Sequence, residues 1–280
     1  MFVRLAGGYG NQLFIYAFGL ALAEKTGREL IVDNISGFGS AGDEYKSVYA
    51  LDGLDIKHRL IKQSKLHHII ANKYFWYLAK KLKISYSESS SSRFEEIPSS
   101  HKLFFEGYWQ SPRYFDSYKK VIKNSFRLID QSNPMILGVK NQILASPNSV
   151  AIGMRFYEET LNASKHHIVK SDAYYLKAMK LLESKITNPK YFVFSTDITR
   201  AKKVMDDLGS RDVIYVEPLK AKNNAKFDLY LMSLCQNFII SNGTFYWWAA
   251  YLGETDKSVI IAPEFGFKNI DSLPENWMRT

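Results

Sequence analysis

Short apolar strands alternate with helical segments from residue 150 to residue 262, and this alternation constrains the fold more than any other feature of the sequence. Strands are predicted at 150–153, 191–194, 213–216, 238–240 and 259–262. Helices are predicted to begin at Ser171 or Asp172, to cover 199–208 and 245–252, and to begin at Asp228 as a cap residue. Because strands joined through helices pair in parallel, the second half of the chain is predicted to be an α/β domain.

The first residues show the same arrangement. Residues 1–6 are an apolar strand, a glycine-rich loop follows at 7–12, and apolar residues then recur at helical spacing as far as Gly27. A strand at 29–32 completes a βαβ unit. A chain of 280 residues is long enough for two such domains, and turn signals at Asn133-Pro134 and Pro147-Asn148 separate them. The predicted domains are residues 1–140 and 141–280. Loop signals at 37–40 and 85–92 make 35–100 the hardest region to assign.

Several classes of protein are disfavoured by the composition. No apolar run reaches the roughly 18 residues of a membrane-spanning helix, and residues 1–6 lack the pattern of a signal peptide. Cys235 is the single cysteine, which excludes an internal disulfide and a cysteine-rich zinc site. No Asp-x-Asp pair is present to hold a metal and a diphosphate, so no metal site is predicted. These features predict a cytoplasmic protein.

The charge favours anionic partners, because 37 Lys and Arg residues stand against 28 Asp and Glu residues, a formal charge of +9. The densest basic and aromatic stretch is 62–83. Its most favoured interpretation is an amphipathic helix with its aromatics packed inward and a solvated basic face. Peripheral contact with an anionic inner membrane is the second, and nucleic acid, which is not expected as a partner, is the third.

The strongest candidate binding site follows the strand at 238–240. Four small polar residues, Ser241, Asn242, Gly243 and Thr244, come directly after this strand and open the helix that continues with Phe245. A helix N-terminus presents free N–H groups and a partial positive charge, which favour a phosphate. In a parallel sheet such a loop lies at the carboxyl edge, where ligands of α/β proteins bind. The loop is therefore predicted to hold a diphosphate, and Phe245 is predicted to contact the same ligand.

Three other groups of residues are candidates with simpler alternatives. Gly8, Gly10 and Asn11 open the first helix, but the loop lacks the third glycine of a dinucleotide fingerprint and a tight turn is the alternative. Ser195, Thr196 and Asp197 follow the strand at 191–194 and could contact a base or ribose, or cap a helix. Arg155 follows the strand at 150–153 and could bind a diphosphate in bidentate fashion, or be a surface residue.

Several of these segments, in their order along the chain, together resemble the bacterial α-1,2-fucosyltransferases. The glycine-rich loop at 7–14 resembles the G-G-x-G-N-Q-x-F signature of that family, and 107–115 resembles its central segment. The C-terminal motifs of the family resemble 194–197, 228–235, 240–250 and 276–277.

The resemblance implies a GT-B type fold, with two Rossmann-like lobes facing each other across a cleft. It further implies a GDP-sugar donor, usually GDP-fucose, held mainly by the C-terminal lobe, and transfer with inversion and without a metal or other cofactor. Asn11 would face the phosphate or the reacting centre, Arg155 would neutralise the departing diphosphate, and the 241–244 loop would cradle it. Asp228 belongs to one of the matching donor-site motifs.

One motif departs from the family. H-x-R-R-G-D appears here as residues 153–158, Gly-Met-Arg-Phe-Tyr-Glu, which keeps the first arginine as Arg155 and an acid as Glu158. The histidine and the second arginine are missing. The motif offers Glu158 as a catalytic base, with a diphosphate oxygen as the alternative proton acceptor.

The sequence therefore predicts an inverting, metal-independent glycosyltransferase. It would move fucose or a related deoxyhexose from a GDP-sugar to a hydroxyl of a glycan acceptor, free or lipid-linked, in the synthesis of a bacterial O-antigen or capsule. A galactoside α-1,2-fucosyltransferase is the specific expectation. A non-catalytic GDP-sugar binding protein of the same fold is the alternative, and a basic nucleic-acid-binding protein ranks last.

Overall fold

The computed structural model describes most of the chain as two compact units. It covers residues 1–39, 47–56, 58–61, 67–70, 72–89, 93–97, 102–156, 171–209, 211–217, 224–264, 267 and 271–280. One unit comprises Met1–Ile129 with Lys268–Ser272, and the other comprises Asp130–Phe267 with Leu273–Thr280. The division thus falls after Ile129, earlier than the predicted position at 140. The Asn133-Pro134 pair starts a helix, because the Asn133 side chain caps the N–H of Met135 at 3.1 Å.

The first unit is a parallel sheet with helices packed against it. Its elements are β1 (Phe2–Arg4), α1 (Tyr9–Thr26), β2 (Ile31–Asp33), β3 (Arg59–Leu60), α2 (His67–Ile70), α3 (Lys73–Lys81), β4 (Ser85–Ser87), β5 (Phe104–Glu106) and α4 (Lys119–Ser125). The strand order is β3-β2-β1-β5-β4, and every pair is parallel. The predicted opening βαβ unit is confirmed. Gly27 ends α1 in the left-handed region, with φ 64°, which glycine adopts without strain.

The core of the first unit lies on both faces of this sheet. Val3 faces α1, whose Gly19 lies so close that an added Cβ would stand 2.8 Å from the Val3 side chain. On the other face, Trp76 and Ala79 of α3 pack with Phe104 in a buried cluster. Helices on both faces explain why the central strands β1, β2 and β5 are mostly apolar and lack a clear alternation.

The second unit is a six-stranded parallel sheet. Its elements are α5 (Pro134–Leu144), β6 (Ser149–Met154), α6 (Asp172–Glu183), β7 (Lys190–Ser195), α7 (Ile198–Asp207), β8 (Val213–Val216), α8 (Ala225–Ser233), β9 (Asn237–Ile239), α9 (Thr244–Gly253), β10 (Ile260–Ala262) and β11 (Met278–Arg279). The order is β11-β10-β9-β6-β7-β8. All five predicted strands and the alternation with helices are confirmed. The sixth strand, β11, is too short and polar to be visible in the sequence.

One predicted helix start is wrong. Asp228 does not cap α8, because the helix begins three residues earlier at Ala225 and the Asp228 N–H bonds to the Asn224 carbonyl at 3.4 Å. Burial of Phe227, which is 6% exposed, favours this earlier start. Across the described ranges, none of the helices is both long enough and apolar enough to cross a bilayer.

Candidate active-site residues at the sheet edges

The order of strands in the second unit locates its binding edge. The chain runs from β6 outward to β7 and β8, and then returns to add β9, β10 and β11 on the other side of β6. The direction of winding therefore reverses between β6 and β9. Ligands of open α/β sheets bind at the carboxyl ends of the strands next to such a reversal. Arg155 follows β6 and the 241–244 loop follows β9, so both predicted groups flank this point.

The register of the two strands brings these groups to the same level. Ile152 of β6 lies opposite Ile239 of β9. Arg155 and Asn242 each come three residues later along their chains, just beyond the edge of the sheet. The Arg155 guanidinium in fact lies beside the start of α9, because a Cβ built on Gly243 would stand 3.7 Å from Arg155 Nη1. The structure thus combines a cation with a helix N-terminus at one place.

The N-terminus of α9 retains binding capacity. Gly243 occupies the N-cap position with φ −111° and ψ 135°, and no side chain caps the helix there. Ser241 is almost completely buried at 1% exposure, and its Oγ has no hydrogen-bond partner among the residues that the structure describes. Buried hydroxyls are nearly always hydrogen-bonded, so a polar group from outside the protein is the expected partner. The arrangement can hold an anion through hydroxyl, N–H and guanidinium donors.

Two buried tyrosines, which the sequence reasoning missed, fix the strand ends that carry these donors. The Tyr246 hydroxyl, on α9, donates to the Met154 carbonyl at 2.9 Å, immediately before Arg155. The Tyr174 hydroxyl, on α6, donates to the Ile240 carbonyl, immediately before Ser241. Burial raises the pKa of Tyr174 well above its usual value, so this phenol keeps its proton and remains a donor. Each tyrosine therefore positions one side of the candidate site.

Tyr246 also explains the missing histidine of the motif. A Cβ at Gly153 would lie 2.4 Å from Cδ1 and 2.6 Å from Cγ of the Tyr246 ring. The ring fills the volume that any side chain at position 153 would need. Glycine at 153 and tyrosine at 246 are therefore a matched pair. The departure from the family pattern at this position is a change of packing.

A second arginine, also missed from the sequence, lies at the neighbouring strand end. The Arg200 guanidinium, in the first turn of α7, stacks over the ring of Phe156 with 4.4 Å to the centroid. Phe156 occupies the position of the family's second arginine. Arg200 therefore places a guanidinium beside the position where the family motif has its second arginine. Its only sequence signal is its place three residues after the Asp197 cap.

The residues at the end of β7 and just after it form a helix cap, which is one of the two roles that the sequence predicts for them. Asp197 is the N-cap of α7, and its Oδ1 accepts from the Arg200 N–H at 2.9 Å. The Ser195 hydroxyl donates to the Asp197 carbonyl at 2.9 Å. Thr196 between them is exposed. Contact of Ser195, Thr196 and Asp197 with a ligand stays a prediction.

Asp228 is mostly buried in α8, and its Oδ1 has no hydrogen-bond partner within the described part of the chain. Burial raises the pKa of this carboxyl from 3.8 to about 6. An unsatisfied buried carboxylate oxygen is costly, so it is suited to accept from a ligand donor. Such a contact is still a prediction. Phe245 begins the aromatic run of α9, and its predicted ligand contact is likewise untested.

The first unit also gathers predicted residues at the carboxyl edge of its sheet. Asn11, in the first turn of α1, accepts through Oδ1 a hydrogen bond from Gln110 Nε2 at 2.9 Å. The two matched segments 7–14 and 107–115 are thereby joined. Gly7 has φ +72°, and a Cβ there would lie 2.7 Å from Asn11 Nδ2, so glycine is required for this contact.

Gly8 and Gly10 differ in their surroundings. Gly10 is buried within α1, whereas Gly8 is exposed at the N-cap. A Cβ on Gly8 would meet no described atom within 4 Å, and its φ of −70° suits any residue. The described structure therefore gives no internal reason for glycine at position 8. Close approach of a ligand to the backbone remains the predicted reason.

Two predictions stay untested: Glu158 as the catalytic base, and a reaction that needs no metal. Glu158 lies outside the residues that the structure describes. No group of three His, Cys, Asp or Glu side chains suited to a metal ion occurs within the described ranges. A metal-independent reaction therefore stays a proposal.

Comparisons with known proteins agree with the resemblance seen in the sequence. The family model described as Glycosyl transferase family 11 matches residues 1–275. An α-1,2-colitosyltransferase of Escherichia coli is 31% identical over 295 residues, covering 99% of this chain and 97% of that protein. The O-antigen biosynthesis glycosyltransferase WbnK of Escherichia coli is 25% identical, covering 95% of each chain.

Solved structures show the same fold. The α-1,6-fucosyltransferase NodZ, soaked with GDP-fucose, superposes with a TM-score of 0.50 at 16% identity, over 90% of this chain and 92% of NodZ. POFUT1 in complex with GDP-fucose gives a TM-score of 0.52 at 14% identity, over 95% of this chain and 98% of POFUT1. The predicted GT-B type of fold, built from two parallel-sheet α/β units, is confirmed. The chain is a glycosyltransferase that belongs to glycosyl transferase family 11.

Proposed function

We propose that this enzyme transfers a 6-deoxyhexose from its GDP-activated form to a hydroxyl of a glycan acceptor, forming an α-1,2 linkage during O-antigen synthesis. The observation that carries the proposal is the Arg155 guanidinium beside Gly243, at the reversal point of a parallel sheet. The names of the two Escherichia coli relatives supply the linkage and the pathway. The GDP-fucose in the two related structures supplies the class of donor.

In the proposed reaction, the acceptor oxygen bonds to the anomeric carbon as the bond from that carbon to the diphosphate oxygen breaks. Negative charge then develops on the departing GDP. Arg155, the N–H groups at the N-terminus of α9 and the Ser241 hydroxyl would stabilise this charge, and such stabilisation is the largest catalytic effect in many enzymes. The donors are held before the reaction begins, so little reorganisation is needed at the transition state.

Arg200 provides a second guanidinium in this proposal. Its stacking on the Phe156 ring holds the planar guanidinium in place. The lost second arginine of the family motif is thus replaced from another element of the same unit. Ser195, Thr196, Asp197 and Asp228 are proposed to contact the nucleoside.

The acceptor proton has two destinations. The Glu158 carboxylate can take it as a general base, or an oxygen of the departing diphosphate can take it. Inversion at the anomeric carbon follows from direct displacement in the first case. In the first unit, the Asn11 amide is oriented by Gln110, and we assign it to contacts with the reacting sugars. No metal ion or cofactor takes part in this scheme.

Fucose is the proposed sugar, and colitose is the second candidate because a colitosyltransferase is 31% identical to this chain. The two sugars differ at C3, where colitose lacks the hydroxyl. Purified protein should be stabilised thermally by GDP-fucose or GDP-colitose and not by UDP- or CMP-sugars. The sugar should then be transferred to a galactoside in the presence of EDTA. Absence of stabilisation by every GDP compound would refute the proposal, and binding without transfer would favour the non-catalytic alternative.

The role of Arg155 is tested separately. Replacing Arg155 by Ala should lower kcat by about 10² to 10³, the usual cost of losing one such electrostatic contact. Arg127→Ala is the matched control, because the Arg127 side chain is 65% exposed and forms a surface ion pair with Asp55 at 3.1 Å. A loss within threefold for Arg155→Ala would remove Arg155 from the catalytic machinery.

A further inference from the structure

Helix α3 has an apolar outward face in addition to the face that packs on the sheet. Three residues on this outward side, Tyr74, Tyr77 and Leu78, are 69%, 60% and 50% exposed. They occupy positions i, i+3 and i+4, so they form one stripe along the helix. Leu82, directly after the helix, is 60% exposed and extends the stripe. We call these four residues the α3 stripe.

The α3 stripe is not needed to build the core. The opposite side of the helix already packs on the sheet through Trp76 and Ala79, which are 6% and 2% exposed. Asn72 caps the helix by accepting from the Tyr74 N–H at 2.9 Å, so the helix is locally stable. Large contiguous apolar patches on a soluble protein usually mark a surface that another body covers.

The charge around this helix is concentrated to an unusual degree. Residues 56–87 contain eight Lys and Arg residues and no Asp or Glu. The remainder of the chain therefore holds 29 of the 37 basic residues and all 28 acidic residues. Nearly the whole formal charge of +9 thus belongs to the segment of sequence that contains the α3 stripe.

The basic residues nearest the stripe are on the helix itself. Lys80 and Lys81 are in its last turn, and Lys81 Nζ lies 4.9 Å from the centroid of the Tyr77 ring. Lysine stems can lie along an apolar surface while the ammonium group stays at the polar boundary. Tyrosine is likewise favoured at the boundary between lipid and water, with its ring in the apolar layer and its hydroxyl in contact with water.

We propose that the α3 stripe, together with Lys80 and Lys81, docks the enzyme on the surface of an anionic lipid bilayer. Apolar side chains would enter the boundary between headgroups and acyl chains, and the lysines would contact the negative headgroups. An anionic bilayer as the binding partner explains both observations, the exposed apolar stripe and the positive charge of a segment that has no acidic residues. It is separate from the donor site, which lies in the other unit.

Two other kinds of binding partner, a nucleic acid and a second copy of this chain, would explain only part of the surface. A nucleic acid would use the lysines, but the exposed Leu78 and Leu82 would gain nothing from a phosphate backbone. A second copy of this chain, related by a two-fold axis, would bury the apolar stripe. It would also bring two identical basic segments together, which is unfavourable because like charges repel.

The test is sedimentation with vesicles, using two kinds of paired variant. Leu78→Gln with Leu82→Gln removes the apolar contacts, and Lys80→Gln with Lys81→Gln removes two charges. Met135→Gln with Leu144→Gln is the apolar control, since these residues of α5 are 53% and 60% exposed. Lys177→Gln with Lys203→Gln is the charge control, since both lysines are exposed in the second unit. All these side chains are solvent-accessible, so unchanged melting temperatures are expected.

The wild type should bind vesicles that contain phosphatidylglycerol, should not bind phosphatidylcholine alone, and should dissociate at high salt. Each α3 pair should lower the partition coefficient by about tenfold or more, and each control pair should leave it within about twofold. Transfer to a soluble acceptor should be unchanged in every variant, which separates this test from that of the donor site.

Three results would overturn the proposal. Binding of the α3 variants equal to wild type would remove the surface from the interaction. The wild type could instead fail to bind anionic vesicles and be retained on RNA. If the Lys80→Gln with Lys81→Gln variant is then not retained on RNA, the surface binds nucleic acid. A dimer in sedimentation velocity that the Leu78 and Leu82 changes convert to a monomer would assign it to a second copy.

Discussion

A single added methyl group at Gly153 should disturb both stability and turnover. In the Gly153→Ala variant, the new Cβ would stand 2.4, 2.6 and 2.9 Å from three atoms of the Tyr246 ring. Carbon atoms in contact are normally 3.5–4.0 Å apart, so the ring must retreat by about 1 Å. The surroundings give little room, because Tyr246 is 4% exposed and its neighbours Trp247 and Trp248 are fully buried.

The expected cost has two parts. Overpacking of a buried site costs roughly 1–3 kcal/mol. A retreat of this size also breaks the 2.9 Å bond from the Tyr246 hydroxyl to the Met154 carbonyl, and an unsatisfied buried group costs about 1–3 kcal/mol. We therefore expect a loss of roughly 2–6 kcal/mol in the free energy of unfolding. At about 2–4 °C per kcal/mol, the melting temperature should fall by roughly 4–24 °C.

The assay is thermal unfolding followed by tryptophan fluorescence, with Gly138→Ala as the control. Gly138 lies inside α5, and a Cβ there meets no described atom within 4 Å, so alanine should stabilise that helix by about 0.5–1 kcal/mol. Introducing Gly153→Ala into a Tyr246→Ala background should cost far less than in the wild type, because the three ring contacts are gone. A melting temperature within 1 °C of wild type for Gly153→Ala alone would refute the matched-pair reasoning.

Three further substitutions and one labelling experiment have defined outcomes. Tyr246→Phe keeps the ring but loses the bond before Arg155, so kcat should fall about tenfold with a small loss of stability; unchanged kcat would contradict its positioning role. Arg200→Ala should raise the donor KM by roughly tenfold, whereas Lys203→Ala should not, and equal KM values in a kinetic assay would exclude Arg200. Burial raises the pKa of Asp228 from 3.8 to about 6, so the native state binds more protons in this range and stability declines as pH rises through it. Asp228→Asn should therefore stabilise by about 2–3 kcal/mol at pH near 7.5 and by almost nothing at pH near 4, and a melting-temperature difference independent of pH would contradict this. Burial raises the pKa of the Cys235 thiol, so the native protein should resist a thiolate-specific reagent until it unfolds; rapid labelling would show the site to be open.

The second unit could be predicted well because its signals are local. Each strand between 150 and 262 is a run of apolar residues, and each is bounded by polar residues that begin or end a helix. Ser171 caps α6 by accepting from the Tyr174 N–H, as its sequence position suggests. The error at Asp228 arose because burial of Phe227 outweighed the preference of aspartate for a cap.

The region from 35 to 100 could be predicted only in part, for physical reasons. Its strands β3 and β4 have two and three residues, too few to show any period. Helix α3 covers part of the amphipathic helix favoured at 62–83. The favoured interpretation of 62–83, aromatics packed inward, holds for Trp76 but not for Tyr74 and Tyr77.

The candidate site was predictable in part for the same reason. A polar loop between a strand and a helix is a local pattern, and both 241–244 and the glycine-rich loop showed it. Tyr246 and Arg200 could not be found in this way, because their partners Met154 and Phe156 are far away in the sequence. Only the parallel pairing of β6 with its neighbours brings them together.

These long-range pairs change how the divergent motif is interpreted. In the sequence alone, Gly153 and Phe156 stand where the family motif has a histidine and an arginine. In the structure each is half of a pair: Gly153 admits the Tyr246 ring, whose hydroxyl fixes the strand end before Arg155, and Phe156 supports the Arg200 guanidinium. Loss of function by drift would leave such positions as cavities or unsupported side chains, since nothing would maintain their partners. Here the Tyr246 ring fills the volume beside Gly153, and the Phe156 ring supports the Arg200 guanidinium. Both observations argue for a rebuilt donor site that still carries out transfer.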